Sequence, residues 1–410
     1  MLVNPVNRIF RLSDAIIVAG YKYSRLTYSY KSYWPCYDRP KRHLHNQHEN
    51  ASIESRNKIL EERKPPWNIM FFGTDEFALE SLITLHNEHK SENGLIGKLD
   101  VVSVSLKKIV PAVSRYCRRE GLTLRTWPVV VSEGAYDLGI VVSFGHLLPL
   151  SIINAFPLGI LNVHGSLLPR WRGAAPIIHA LLNGDQETGI TIMKIQPGRF
   201  DVGEIISQAS VPICWNTMSG ILTKQLAVLG AHELISCLRG VPENLQGATP
   251  QPSDGVTKAP KVKEESSRIH WEKHTCKKIQ AMYRALDDYF PLWTLWHGTP
   301  IKLRDMVMLE EWSCLTPGNR ESCNRNNMGE TDIICSERTS ATIKDNKDME
   351  NLLPGHTVFN KKSKVLSIRC ADGYVSFQKV VVKGRKPMSA KDFYNGFISK
   401  KTKDLHVFDV

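Results

Sequence analysis

The strongest constraint on this chain is an alternation running from residue 67 to residue 238. Short apolar runs of strand length are each followed by a segment with apolar residues at helical spacing. Trp67-Asn-Ile-Met-Phe-Phe-Gly73 leads through Thr74 and Asp75 into Phe77, Ala78, Leu79, Leu82 and Leu85. That pattern reads as strand, tight turn and amphipathic helix, with Thr74 or Asp75 as the helix cap. Further strands are predicted over residues 101–106, 137–145, 159–164, 189–195 and 204–211, and helices over 113–119, 149–156, 175–183 and 217–238. The alternation predicts an α/β domain built on an open, mainly parallel, Rossmann-like sheet, and disfavours a helical bundle or a β-sandwich. The first turn lacks the GxGxxG spacing that seats a pyrophosphate on a helix end, so no dinucleotide is inferred.

Past residue 242 the pattern changes. Residues 243–267 hold Pro250, Pro252, Pro260, Ser253 and Gly255 with several lysines, a composition that reads as an interdomain linker. A helix is predicted over 276–286, and short strands near 301–303, 331–334, 365–369 and 374–382 suggest a small, OB-like β-barrel. Residues 311–330 are polar and read as a surface insertion. At the other end, Met1 to His45 carries eight basic residues and two acidic ones, without the long apolar core of a secretory signal. This reads as an organelle presequence, mitochondrial by its basic, hydroxyl-rich character, with a disordered basic tail as the alternative. The expected division is therefore presequence or tail 1–65, first domain 66–242, linker 243–267, barrel domain 268–400 and tail 401–410.

Composition narrows the classes further. A chain of 410 residues, 42% hydrophobic and 23% charged, can build two ordinary globular cores. Its longest apolar stretches fall short of the ~20 residues needed to cross a bilayer, so no membrane span is expected. The excess of 53 Lys and Arg over 41 Asp and Glu would attract a polyanion, although a basic surface can equally serve solubility. Nine cysteines without a CxxC pair fit neither a structural zinc site nor a dense disulfide scaffold, and no metal is expected.

The chemistry-bearing segment begins at Gly159-Ile-Leu-Asn-Val-His-Gly-Ser166. Asn162 and His164 are two apart, so a strand projects both from one face while Val163 points into the opposite layer. Gly165 marks the carboxyl end of that strand, the edge that faces the ligand crevice in open α/β sheets. The following Leu-Leu-Pro169-Arg-Trp-Arg-Gly173 is constrained by Pro169, permits close approach at Gly173 and carries Arg170 and Arg172. Trp171 can cover a pocket or anchor the loop on the core, and the arginines can meet phosphate or hold internal carboxylates. Asp201 lies in the turn Arg199-Phe-Asp-Val-Gly203, and spacing alone leaves it as readily a cap as a site residue.

The run Asn162-Val-His-Gly-Ser-Leu-Leu-Pro-Arg-Trp-Arg-Gly173 closely resembles the signature of the methionyl-tRNA formyltransferases, within the wider family of formyltetrahydrofolate-using transferases and hydrolases. The resemblance continues through Gly73-Thr-Asp-Glu-Phe-Ala78, Gly189-Ile-Thr-Ile-Met193, Phe200-Asp-Val-Gly203, Arg268-Ile-His-Trp271 and Met388-Ser-Ala-Lys-Asp-Phe393. It implies a Rossmann-like formyltransferase domain followed by an OB-like tRNA-binding domain, with Asn162, His164 and Asp201 as the catalytic trio. It also implies 10-formyltetrahydrofolate as donor, methionyl initiator tRNA as acceptor and the mitochondrial matrix as location. On the same basis Gly73, Phe144, Gly145, Ser166, Leu168, Pro169 and Gly173 are expected around the folate or acceptor-end pocket. Lys107, Lys108, Arg170, Arg172, Lys379, Lys383, Arg385, Lys386 and Lys391 are the candidate tRNA contacts, each equally readable as a solvated charge. The chain departs from the family after residue 106. Members commonly carry a longer loop there, rich in Pro, Gly and basic residues, whereas Ser105-Leu-Lys-Lys-Ile-Val-Pro111 is short. Two alternatives stay open: another formyltetrahydrofolate-dependent enzyme, acting on glycinamide ribonucleotide or hydrolysing the donor, and a catalytically impaired RNA-binding protein.

Overall fold

The first strand, β1 (Trp67–Gly73), shows why its sequence demands a layered fold, because six of its seven residues are buried. Ile69 and Phe71 pack into one apolar cluster while Met70 and Phe72 pack into another, so the strand must be covered on both faces. The computed structural model describes residues 63–105, 109–308, 352–402 and 405–409. The expected presequence, the strand near 331–334, the insertion at 311–330 and the lysines at 107 and 108 lie outside the described residues.

The first sheet adds β2 (Ile96–Ser103), β3 (Leu124–Thr126), β4 (Leu138–Val142), β5 (Ile160–His164), β6 (Glu187–Lys194) and β7 (Ile205–Pro212) in the order β3-β2-β1-β4-β5-β6-β7. The strands from β3 to β5 run parallel, and β6 and β7 return antiparallel at one edge. From β1 the chain winds outward to β2 and β3, then crosses back to β4 and β5 on the other side. The sequence order therefore reverses between β1 and β4, and the carboxyl ends of those strands are where open α/β sheets place their ligand crevice.

Helix α1 (Glu76–Lys90) begins where expected, with Asp75 accepting a hydrogen bond from the Ala78 N–H at 3.1 Å. Helices α2 (Ala112–Glu120), α3 (Leu150–Ile153), α4 (Pro176–Leu182) and α5 (Ser219–Arg239) complete the layers. By length and hydropathy α5 could cross a membrane, a case that the shorter apolar runs did not suggest. Its Leu222, Leu226, Leu234 and Leu238 are instead buried in the same cluster as β5 and β6, while Lys224, Gln225 and Arg239 face outward.

The second sheet is antiparallel, in the order β10 (Thr357–Asn360), β11 (Val365–Arg369), β12 (Tyr374–Val382), β9 (Thr299–Val307) and β8 (Trp293–Trp296), with β13 (Met388–Ser389) also paired to β12. Among the described residues β8 and β10 remain the ends of this path, so the barrel expected from sequence is seen as a sheet without closure. Trp271, Trp296, Phe393 and Phe408 pack together over it. Phe408, set apart by sequence as part of a tail, is fully buried, and Asp409 accepts from the backbone N–H groups of His297 and Gly298 at 3.0 and 2.7 Å.

The two sheets are joined through α7 (Cys276–Leu286), which follows a short helix α6 (Glu243–Gln246) and lies against α4. Lys278 Nζ donates to Leu182 O at 2.9 Å, and Asp288 just beyond α7 accepts from the Gly220 N–H at 3.0 Å. Asp287, at the end of α7, has a side chain only 15% exposed and lies 3.6 Å from Arg304. Burial outweighs Arg304 and pushes its carboxyl up to about 6. A folded-state value above the unfolded one leaves stability intact below pH ~4 and removes it as pH rises through 6, at a cost of up to about 3 kcal/mol. Asp287→Asn is therefore expected to melt above the parent at pH 7.5 and to lose that advantage by pH 4. Equal melting temperatures at pH 7.5 would show that Arg304 already offsets the burial.

Candidate active site

Strand β5 lies between β4 and β6, with Asn162 opposite Val141 and Met193, and His164 opposite Thr191. The alternation read from sequence holds: Leu161 and Val163 join the cluster under α5, and Asn162 and His164 project to the other face. His164 is 6% exposed. Its Nε2 lies 3.0 Å from Trp171 O. A carbonyl oxygen only accepts, so Nε2 carries a hydrogen and donates it. That leaves Nδ1 as the nitrogen free to exchange a proton, and it faces Asp201 Oδ1 at 3.5 Å. The same oxygen accepts from Asn162 Nδ2 at 3.4 Å, while Asp201 Oδ2 accepts from the Gly173 N–H at 2.8 Å. The side chains expected to act together therefore converge on one carboxylate, which lies far along the chain from the strand that carries the other two.

Asp201 sits at φ +55°, a left-handed backbone that is costly for a residue with a side chain. What holds it there comes from the segment read as a linker. Gln251 Nε2 donates to Asp201 O at 3.1 Å and to Gly203 O at 2.8 Å, and its Oε1 accepts from Arg172 at 3.0 and 2.6 Å. Residues 257–259 then run alongside the loop after β5. The Arg172 N–H donates to Thr257 O, and the Ala259 N–H donates to Arg172 O at 2.7 Å. Gly173 lies at φ +131°, where a Cβ would come within 2.5 Å of Ala259 O. The connection between the two sheets is thus a clamp on the loop carrying Gly173.

The loop's charged and aromatic residues are turned inward. Arg170 forms a two-pronged pair with Asp185 at 2.8 and 2.5 Å and lies 4.3 Å over the Trp171 ring. Trp171 is 7% exposed, donates Nε1 to Asp185 Oδ2 at 2.7 Å and packs with Ala180 and Ala259. Of the two roles open from sequence, Trp171 takes that of an anchor, and both arginines are engaged within the fold. Ser166 and Leu168, placed around the pocket by resemblance, are buried: Ser166 Oγ donates to Arg170 O at 2.7 Å, and the Leu168 N–H donates to Thr191 Oγ1 at 3.0 Å. They shape the loop, whose Leu168–Pro169 bond is cis.

Residues 104–238, which carry this trio, match the formyl transferase family, and residues 261–398 match the formyl transferase C-terminal domain. The chain is 42% identical over 340 residues to the mitochondrial methionyl-tRNA formyltransferase of Homo sapiens, covering 82% of this chain and 79% of that protein. The chain belongs to the formyl transferase family. The methionyl-tRNA formyltransferase of Carboxydothermus hydrogenoformans is 34% identical over 267 residues, covering 63% of this chain and 85% of that one. A solved N-formyltransferase from Helicobacter canadensis, in complex with folinic acid and dTDP-3-aminofucose, is 15% identical with a TM-score of 0.48, covering 76% of this chain and 98% of that one.

For a formyl transferase, the remaining candidates divide by position. Gly73 ends β1 at the crevice, and Gly145 follows β4 at φ +75° with open space where a Cβ would stand. Phe144 between them is 5% exposed and packs edge-on to Phe72 and Trp127, so it is a wall of the core beneath the crevice. On the second sheet Lys383, Arg385, Lys386 and Lys391 are exposed, with Arg385 lying 5.1 Å over the Phe397 ring. Lys379 pairs with Asp305 at 2.7 Å. Lys302, Arg304 and Asp305 line a depression with Lys379, Val381 and Pro387, a grouping that depends on the pairing of β9 with β12, and its cations are paired with Glu264, Asp287 and Asp305. Among the described residues, the potential metal-ligand group is Cys276, Cys370 and Asp372, which lies on α7 and the second sheet, apart from the trio in the fold.

Proposed function

We propose that this formyl transferase moves the formyl group of 10-formyltetrahydrofolate to the amino group of methionine carried on initiator tRNA. The observation that carries the proposal is the convergence of Asn162, His164 and Asp201 at the carboxyl end of β5. The 42% identity to a mitochondrial methionyl-tRNA formyltransferase supports the choice of acceptor. It also supports a mitochondrial location, with the matrix as the compartment we propose.

The reaction needs an uncharged amine, a held formyl carbonyl and somewhere for charge and proton to go. Asn162 Nδ2 has only a long bond to Asp201 at 3.4 Å, so its hydrogens can turn to the formyl oxygen as negative charge develops there. His164 is fixed in its ring orientation by the Trp171 carbonyl and presents Nδ1 for the proton released by the attacking amine, which it can return to the folate nitrogen as the bond from that nitrogen to the formyl carbon breaks. Asp201 is anchored through Oδ2 by the Gly173 N–H, and its Oδ1 stands beside the imidazolium formed when that proton arrives. The open space at Gly145, beside the switch point between β1 and β4, suits the flat donor, which the chain binds as a substrate.

The second sheet would take the tRNA backbone. Lys383, Arg385 and Lys386 just after β12 and Lys391 on the short helix Ala390–Phe393 are solvent-facing cations, and phosphate contacts from such residues position a nucleic acid without reading its sequence. Lys107 and Lys108 remain candidates from sequence. We also read this sheet as an OB-like barrel, supported by the way β12 gives successive stretches to β11, β9 and β13. The proposed division keeps the formyltransferase domain at 66–242 and the tRNA-binding domain at 268–400, joined by 243–267. Incubation with 10-formyltetrahydrofolate and methionyl initiator tRNA should yield N-formylmethionyl-tRNA, and no product from a folded chain would refute the proposal.

A further inference from the structure

Cys276 opens helix α7, and Cys370 immediately follows strand β11. They are 94 residues apart in the chain, yet their sulfurs lie 3.3 Å from one another. Both residues are buried, at 4% and 0% exposure. The turn from Cys370 to Gly373 is closed by the Cys370 N–H donating to Gly373 O at 2.8 Å, and it folds tightly onto the pair: a Cβ on Gly373 would meet Cys276 Sγ at 2.7 Å. Asp372 from that turn accepts from the Cys276 N–H at 2.7 Å, joining turn and helix through a second contact. Cys276, Lys277, Asp372 and Gly373 line a small surface depression over the sulfurs.

Two chemistries could use such a pair, a metal ion or a disulfide. Among the described residues only three ligand groups meet here, one fewer than a closed structural zinc site requires, and the Asp372 oxygen nearest the sulfurs is already held by the helix N–H. What remains is two thiols facing each other, with the hydrogen bond from Cys276 holding the Cys370 thiol below its ordinary value while that bond, burial and Asp372 push Cys276 up. We propose that Cys276 and Cys370 form a reversible redox site that closes to a disulfide when a peroxide of water size reaches the depression.

The chemistry balances with hydrogen peroxide as the oxidant. The Cys370 thiolate, favoured by the hydrogen bond from Cys276, attacks one peroxide oxygen; the S–O bond forms, the O–O bond breaks, and the departing hydroxide takes up the proton lost by the Cys370 thiol to become water. Cys276 then attacks the sulfur of the Cys370 sulfenic acid; the S–S bond forms, the S–O bond breaks, and the hydroxide leaves with the Cys276 proton as a second water. Two thiols lose two electrons and one peroxide becomes two waters. A dithiol reductant reverses the process by thiol–disulfide exchange.

Position gives the bond a consequence. Cys276 belongs to the helix that touches α4 of the catalytic domain, and Cys370 belongs to the second sheet. The disulfide would fix the connecting helix to that sheet and close a long loop of chain, restricting the unfolded state. Oxidation should therefore raise the melting temperature by on the order of 5–10 °C.

The test treats the full chain with a small molar excess of hydrogen peroxide, blocks the remaining thiols with iodoacetamide and maps non-reduced peptides by mass spectrometry. The expected result is a peptide joining Cys276 to Cys370, about 2 Da lighter than its two thiol parts and lost on adding dithiothreitol. Melting temperature should rise with oxidation in the parent and stay unchanged in Cys276→Ser and in Cys370→Ala. Should either variant fail to fold, the peptide map of the parent decides alone. Both cysteines recovered alkylated, linked to other cysteines or converted to sulfinic acid would overturn the proposal. So would a stoichiometric zinc ion in the purified chain that keeps the pair from oxidising.

Discussion

His164→Ala is expected to slow single-turnover formylation by about 10²- to 10⁴-fold while leaving the affinity for 10-formyltetrahydrofolate within a few-fold of the parent. The split follows from the two ends of the ring. Nε2 is occupied by the Trp171 carbonyl and serves only orientation, whereas Nδ1 faces Asp201 and is the nitrogen through which a proton can pass. Removing the ring takes away the proton acceptor at the moment of attack and leaves the backbone around Gly73 and Gly145, where the donor would lie, intact. Because His164 is buried, its loss also opens a cavity, so the thermal melt must accompany the kinetics. Near-parental turnover in a folded variant would remove His164 from the chemistry. A parallel loss of donor binding would make it a pocket wall.

The second large effect is expected at Gly173, whose N–H anchors Asp201 Oδ2. Gly173→Ala would put a methyl group 2.5 Å from Ala259 O in a backbone conformation that side chains rarely adopt. Relief requires moving the 257–259 segment or the loop, and either movement pulls the Gly173 N–H away from Asp201 Oδ2. A stability loss of about 2–4 kcal/mol is expected, from strain and from displaced backbone hydrogen bonds together. Formylation should fall at temperatures where the variant is still folded, because Asp201 loses its anchor. Gly198→Ala is the matching control. Gly198 also has positive φ, +75°, and stands three residues before Asp201, but a Cβ there meets nothing within 4 Å. Backbone strain alone should cost it about 1 kcal/mol and little activity. Equal losses in the two variants would mean that the clamp from 257–259 contributes nothing to the site.

The contrast between these glycines shows where sequence reading succeeds and where it stops. Asn162 and His164 can be placed on one face from sequence alone, because a two-residue period in a strand is a local property and Gly165 marks where the strand ends. The same holds for Asp75 at the head of α1 and for β11 and β12, whose bounds coincide with the apolar runs. Asp201 differs. Nothing near it in sequence indicates that its carboxylate reaches β5, and only the family resemblance singled it out.

Composition says least about what residues 243–267 touch. Proline, serine and glycine describe a segment that is irregular between the short helical turns Glu243–Gln246 and Glu264–Ser267, but they do not report that Gln251, Thr257 and Ala259 direct their polar groups to the catalytic loop. Arg170 and Arg172 show the converse limit. A basic pair in a loop suggests an anionic partner, and the partners proved to be Asp185 and Gln251 of the same chain. The barrel was inferred from strand number, whereas closure depends on which strands meet at the ends of the path, and that pairing leaves no local mark.

The most direct test of the central claim is an acceptor comparison under identical conditions. The chain would be supplied with 10-formyltetrahydrofolate and, in separate reactions, methionyl initiator tRNA, methionyl elongator tRNA or glycinamide ribonucleotide, and formylated product measured. Product on initiator tRNA, with at most weak product on the other two, is the predicted result. Product on glycinamide ribonucleotide alone, or formate release without product on any acceptor, would contradict it.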